Sequence, residues 1–206
     1  MKYTVILGAD AALECAWQVA ELLYPDAVRL SLASTDRFNF DLSPLLQHYA
    51  PAETRVFVAL DGRAVNYARH GLIAQVQLAG YRLISLVSPQ AMVDASVRVG
   101  ANVYIGPGAN IGPECVLGMG SWLDRRVVLD REVKLGACVT LDSAVVLGNQ
   151  VSIGKGSTLG LATVALPGTV VGKRCEWLLG TALPRQLPDN SLYDELMPQG
   201  ARVFRY

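Results

Sequence analysis

Histidine is nearly missing from this 206-residue chain: His48 and His70 are the whole supply, and none follows residue 70. A metal centre built from several histidines is thereby excluded from everything beyond that point. The formal net charge is zero, so there is no basic footprint for a nucleic acid. Long apolar runs are absent as well: no stretch approaches the length of a membrane-crossing helix. Residues 1–7 read as a short strand rather than a basic region leading an apolar one, so no secretory leader is expected. The four cysteines, Cys15, Cys115, Cys138 and Cys175, are scattered without metal-ligand spacing. Cys115 and Cys175 read as core filler, and the setting expected is a reducing cytoplasm.

What is abundant is rhythm. Every sixth residue from Val87 to Val171 is apolar and mostly branched: Val87, Val93, Val99, Ile105, Ile111, Leu117, Leu123, Leu129, Leu135, Leu141, Leu147, Ile153, Leu159, Ala165 and Val171. The next residue is usually glycine, as at Gly100, Gly118, Gly136, Gly154 and Gly172, or aspartate, as at Asp94, Asp124, Asp130 and Asp142. Two residues before each beat stands a small or β-branched side chain, such as Ala109, Cys115, Val127, Val139, Ser157 or Thr169. Such a period fits neither an α-helix nor one long strand. It is the mark of a β-helix in which each hexapeptide forms one flat side of a triangular coil. The beat residue and the small one before it point inward, and each beat stacks on its equivalent eighteen residues on. The following Gly or Asp is expected at the corner, where φ > 0 or an Asx turn is cheapest. The run amounts to roughly five coils.

Residues 1–86 are organised differently. Strands are expected at 2–7, 28–32, 55–60 and 81–86, with helices over 11–23 and from Gly62 to about residue 79. Alternation of this kind describes a small parallel α/β domain. The architecture expected is therefore mainly β: a left-handed parallel β-helix over 87–183, preceded by a small Rossmann-like α/β domain over 1–86. A tail over 184–206, rich in proline and polar residues, is expected to pack irregularly on the last coil. In α/β sheets ligands bind at the carboxyl ends of strands, which points to Gly8-Ala9-Asp10, Asp36 and Asp61-Gly62. A lone glycine turn is also what a plain strand-to-helix connection needs, and Asp36 is either a ribose or base ligand or a loop carboxylate.

The outward residues just before each beat form ladders. Asn110, Val128, Val146 and Val164 share one face, an apolar ladder read as a subunit contact in a cyclic trimer. Tyr104, Trp122, Thr140 and Thr158 share another, read as further interface or as a ligand-flanking wall. Asp124 and Asp142 stand one coil apart at one corner, about 4.8 Å by strand spacing. They form turns there, or their proximity raises one pKa or recruits Arg125 or Arg126.

An α/β domain running directly into a hexapeptide β-helix resembles the sugar acyltransferases of the sialic acid O-acetyltransferase and bacillosamine N-acetyltransferase type. The resemblance spans almost the whole chain. It implies an acyl-CoA-dependent transfer of acetyl to an amino or hydroxyl group of a nucleotide-linked or glycan sugar. It further implies a homotrimer, acetyl-CoA between neighbouring β-helices, a sugar nucleotide on the N-terminal domain, and no metal. By position, Gly8, Asp36 and Asp61 match the substrate side, and Thr140, Gly136, Gly154 and Arg202 the CoA side. The family's general base is a histidine followed by an acidic residue; here that pair reads Arg131-Glu132. Arginine holds its proton at physiological pH and offers no lone pair. The base is then Glu132, His70 or the substrate amine, and an amine acceptor needs less help than a hydroxyl. The opening turn carries fewer glycines than the family's, and the CoA-contacting tail segment is matched only by Met197-Pro198-Gln199-Gly200-Ala201-Arg202, spaced differently. The alternative is a catalytically impaired or non-catalytic trimer that keeps ligand binding or a scaffold role. A γ-type carbonic anhydrase shares the β-helix but needs three histidines, which the repeat lacks.

Overall fold

The computed structural model describes residues 1–36 and 38–202. The N-terminal part is a parallel sheet in the order β2-β1-β3-β4, with β1 at Tyr3–Gly8, β2 at Val28–Ser31, β3 at Thr54–Ala59 and β4 at Arg82–Leu83. Helix α1 (Asp10–Leu23) follows β1, a short α2 (Ser43–His48) precedes β3, and α3 (Arg63–Leu78) leads to β4. The expected elements are all present, and α2 is an addition to them. The expected last strand over 81–86 divides: Arg82–Leu83 pairs with β3, while Leu86–Val87 already belongs to the β-helix. The chain bends between the two.

From there the chain winds as a left-handed parallel β-helix of about six turns. Its short strands form three ladders, each pairing residues eighteen apart, such as Trp122↔Thr140, Val128↔Val146 and Lys134↔Ser152. The beat residues and the small residues before them fill one continuous interior, with Leu123, Leu141, Val127, Val139 and Cys115 at full burial or within a percent of it. Val99, by contrast, is 40% exposed, because no coil lies beneath the first one to close the prism. Cys115 and Cys175 sit in the inward register, while Cys138 packs at a corner against α3.

The corner works differently from the expectation. Left-handed φ falls three residues after the beat, at Gly108, Glu114, Gly120, Arg126, Glu132, Cys138, Ala144, Gln150 and Gly156, rather than at the residue directly after it. The glycines after the beat are required by proximity: a Cβ on Gly118 would come within 2.5 Å of the Gly136 carbonyl carbon, and one on Gly154 equally close to Gly172. Where aspartate replaces glycine, an Asx turn does form, as at Asp94, whose Oδ1 accepts the Ser96 N–H at 2.9 Å.

The segment after 184 is ordered rather than irregular. Gln186–Leu187 pairs with Val170–Val171, and Ser191–Tyr193 extends the first ladder beyond Glu176–Trp177. Regular pairing continues because Leu187 is 3% exposed and keeps the inward register. This is why the prism exceeds the roughly five coils the hexapeptide run alone implies. Residues 203–206 of the expected tail lie outside the described residues.

The α/β unit covers one face of the prism. Tyr104 and Trp122, 1% and 8% exposed, pack with Ile6, Leu13, Ala16 and Phe57. Their rings stack at 4.1 Å, and the Tyr104 hydroxyl donates to the Cys15 carbonyl. The face expected to meet a second subunit or flank a ligand is thus covered here by the chain's own N-terminal domain. The reason is apolar area: α1 and the sheet present a matching surface. The ladder Val128, Val146 and Val164 stays exposed.

Candidate functional site

Three parallel strands end at one edge of the α/β unit, beside the N-terminus of α1. Their termini and the following loops enclose a cleft of about 460 Å³ lined by Ala9, Asp10, Leu32, Ser34, Phe40, Leu60, Asp61 and Ala68. Asp61 lines it directly. Gly8 does so only by permitting it: a Cβ there would fall on the Ala59 carbonyl oxygen of the paired strand. Asp36 is committed to its own loop. It accepts the backbone N–H groups of Asn39 and Phe38 at 2.8 and 2.9 Å, along with Asn39 and Ser34 side chains. Those donors, Asn39 N–H foremost, hold its carboxyl at about 2.

A second depression, about 340 Å³, is lined by Asp61 as well, together with Gly62, Ala64, Thr140, Asp142, Thr158, Glu176 and Leu178. Its floor is a buried polar lattice. Arg69, 1% exposed, donates to Thr140 Oγ1 at 2.7 Å, to Asn66 Oδ1 at 2.5 Å and to the Leu60 carbonyl at 3.1 Å. Asn66 in turn donates to Thr158 Oγ1, and Thr140 to Asn66 Oδ1. Above the floor Ala64, Val65 and Asn66 all have left-handed φ, between 47° and 61°. Such backbone is costly for a β-branched residue. Glu176 secures it by accepting the Val65 N–H at 3.0 Å. No sequence signal marked this segment, because three consecutive left-handed residues without glycine have no compositional signature.

Asp142 forms one wall. Burial, then the neighbouring Asp124 carboxylate, push its carboxyl up to about 6, with Arg69 pulling the other way. Asp124 accepts Ser143 Oγ at 2.8 Å on one oxygen, and its other oxygen is buried without a partner. Of the readings open for these corner carboxylates, a raised pKa applies at Asp142.

Arg131 and Glu132 lie elsewhere. They turn the corner between the exposed Val128 face and the face of Lys134, on the side of the prism away from the α/β unit. Arg131 pairs with Glu132 at 3.1 Å, and Gln150 donates to the other Glu132 oxygen at 2.8 Å. A groove of about 500 Å³ runs there past Arg98, Glu114, Glu132, Lys134, Gln150 and Ser152. Gly136 and Gly154 stand at the next corner, packed tightly between coils. Arg202 sits on the closing antiparallel strand pair, donating to the Asp189 carbonyl at 3.4 Å. His70 is exposed in a separate groove with Tyr67, Cys138, Lys155 and Arg174, on neither the Asp61 nor the Glu132 side. One chain thus joins Asp61 with Thr140, and holds Glu132 apart from both.

The profile of the hexapeptide repeat of succinyl-transferase matches residues 95–125. Over nearly the whole length, the structure resembles PerB from Caulobacter crescentus in complex with CoA and GDP-perosamine. The TM-score is 0.81 at 25% identity, with 92% of each chain covered. A histidine mutant of perosamine N-acetyltransferase from the same organism, also with CoA and GDP-perosamine, matches with TM-score 0.80 at 24% identity and the same 92% coverage of each chain. The acetyltransferase domain of PglB from Neisseria gonorrhoeae shares the fold, with TM-score 0.81 at 19% identity, covering 93% of this chain and 96% of that one. No sequence match is found among curated proteins. What is shared with these structures is the architecture, a small α/β unit running into a parallel β-helix. Among the described residues no helix is long and apolar enough to cross a membrane.

Proposed function

We propose that this chain is an acyl-CoA-dependent acyltransferase that moves an acetyl group onto an amino or hydroxyl group of a nucleotide-linked or glycan sugar, as a cytoplasmic homotrimer. The observation that carries this reading is that Asp61 lines both the strand-end cleft and the depression on the β-helix. It is supported by the likeness to a structure holding CoA and GDP-perosamine together. Asp61 and Ser34 face the acceptor, while Gly8 and Asp36 shape the strand end and loop that border it. Arg98 and Lys134, beside Glu132, supply cations for the phosphates of CoA. Of the residues matched to the CoA side, Gly136, Gly154 and Arg202 complete the donor side, while Thr140 lies with Asp61.

The Arg131–Glu132 corner and the Asp61 cleft lie on opposite sides of one prism, so a complete site takes them from neighbouring subunits. The exposed Val128, Val146 and Val164 ladder adjoins that corner and supplies the contact. The chemistry is attack by the acceptor on the thioester carbonyl, with a base for the acceptor proton and N–H donors for the oxyanion. Two intact clefts weigh against a scaffold that has lost its ligands. The test is thioester release from acetyl-CoA in the presence of amino-sugar nucleotides. Turnover is expected; failure of CoA to bind in calorimetry overturns the proposal.

A further inference from the structure

Resting on the acyltransferase reading, we infer that Asp142 is the catalytic base of this site and that the acceptor is an amine. A catalytic base requires a lone pair free of other duties, an opening onto the substrate, and partial desolvation. Arg131 fails the first requirement outright. Glu132 has both oxygens engaged, one by Arg131 and one by Gln150. Glu176 is held by the Val65 N–H. The Asp142 carboxylate accepts no hydrogen bond among the described residues, is half-buried, and lines the depression that shares Asp61 with the strand-end cleft.

Its surroundings tune it. Asp124 faces it from the preceding coil, Arg69 from α3, Asp61 from the loop after β3 and Glu176 from a coil further on. Burial and Asp124 hold the proton more tightly than a free carboxyl would, placing the titration at about 6. The Asp124 oxygen left buried and unpartnered keeps that repulsion undiluted. A carboxylate ringed by acidic neighbours also attracts a cationic acceptor, which an ammonium is and a hydroxyl is not.

The ionised Asp142 takes one proton from the acceptor's R–NH₃⁺, giving R–NH₂ and a neutral carboxyl. The amine lone pair forms the C–N bond to the thioester carbonyl, and the tetrahedral adduct expels CoA as thiolate when the C–S bond breaks. The remaining extra N–H proton passes to that thiolate, and Asp142 releases its own to water. The net change is R–NH₃⁺ plus acetyl-CoA to the amide, CoA thiol and one proton.

The test is the pH–rate profile of CoA release with an amino-sugar nucleotide, on the full-length protein and on Asp142→Asn and Asp124→Asn variants, with CoA binding followed by calorimetry. Native protein is expected to show an acid limb near pH 6. Asp142→Asn should lose at least 100-fold in kcat with CoA affinity held within about threefold, consistent with the weight of general base catalysis. Asp124→Asn should move the acid limb to lower pH, a shift that damage to folding does not produce. An Asp142→Asn variant that keeps its rate and its acid limb overturns the role of Asp142 while leaving the acyltransferase reading standing. Absence of both CoA binding and turnover in the native chain overturns the acyltransferase reading, and this inference with it.

Discussion

The Arg69 guanidinium and the Thr140 hydroxyl meet at 2.7 Å across the junction of two architectures. Arg69 belongs to α3 and Thr140 to a β-helix coil, 71 residues apart. Both are buried, and the guanidinium donates to Asn66, Thr140 and the Leu60 carbonyl. Burial lowers the Arg69 pKa. The contact fixes where the strand-end cleft sits relative to the repeat, which makes a structural residue decisive for the site.

Thr140→Val removes that acceptor and leaves a buried donor unmatched. A loss of about 1–3 kcal/mol is expected, read as a lower urea midpoint at unchanged slope. An unaltered midpoint would show the lattice to be dispensable.

Coil spacing makes an opposed pair of predictions. Gly154→Ala puts a methyl within 2.5 Å of Gly172 and should destabilise by about 1–3 kcal/mol. Ala162→Gly relieves a left-handed φ of 56° and should be stabilising, by up to about 1 kcal/mol. Thermal unfolding of both variants against the native chain decides it; the same sign for both would be incompatible with the corner geometry.

Subunit contact through the exposed ladder is checked by Val146→Glu. Val146 is 39% exposed in the single chain, so the charge costs the monomer little. Light scattering coupled to size exclusion should report a trimer for native protein and a monomer for the variant. Persistence of the native mass would remove this face from the interface.

Asp142 also makes a stability prediction with a definite sign. Its folded carboxyl titrates at about 6, above the ordinary value of about 4. Between those values the folded state holds a proton that the unfolded state has released, so stability falls as pH rises through the window. Asp142→Asn should therefore melt higher than native at pH 8, with the advantage disappearing by about pH 3.5. An advantage of equal size at every pH would mean that the titration plays no part.

Much of the site was legible in part only. Asp61 was marked by its place after a strand, and it lines both clefts. Asp36 was marked by the same reasoning, yet its oxygens are spent on its own loop, because a loop's internal hydrogen bonds leave no trace in strand order. The glycines after each beat are plain in the sequence, but the reason for them is close approach rather than the φ > 0 that the spacing suggests. Glycine serves both left-handed backbone and close approach, and only the neighbouring coil tells which applies. Tyr104 and Trp122 were placed on one outward face correctly, but what covers that face is α1 and Phe57, a contact between segments far apart in the chain.

By itself, then, the sequence determined the prism. The inward pattern repeats every six residues, each coil needs only its neighbour to bury it, and so local periodicity suffices to specify the fold. The tertiary structure alone decided the site. Docking of the α/β unit through Arg69, Asn66 and Thr140 set Asp61 beside Asp142 and left the Arg131–Glu132 corner on the far side. Those relationships depend on complementary surfaces and buried hydrogen bonds between distant segments, which no spacing along the chain records.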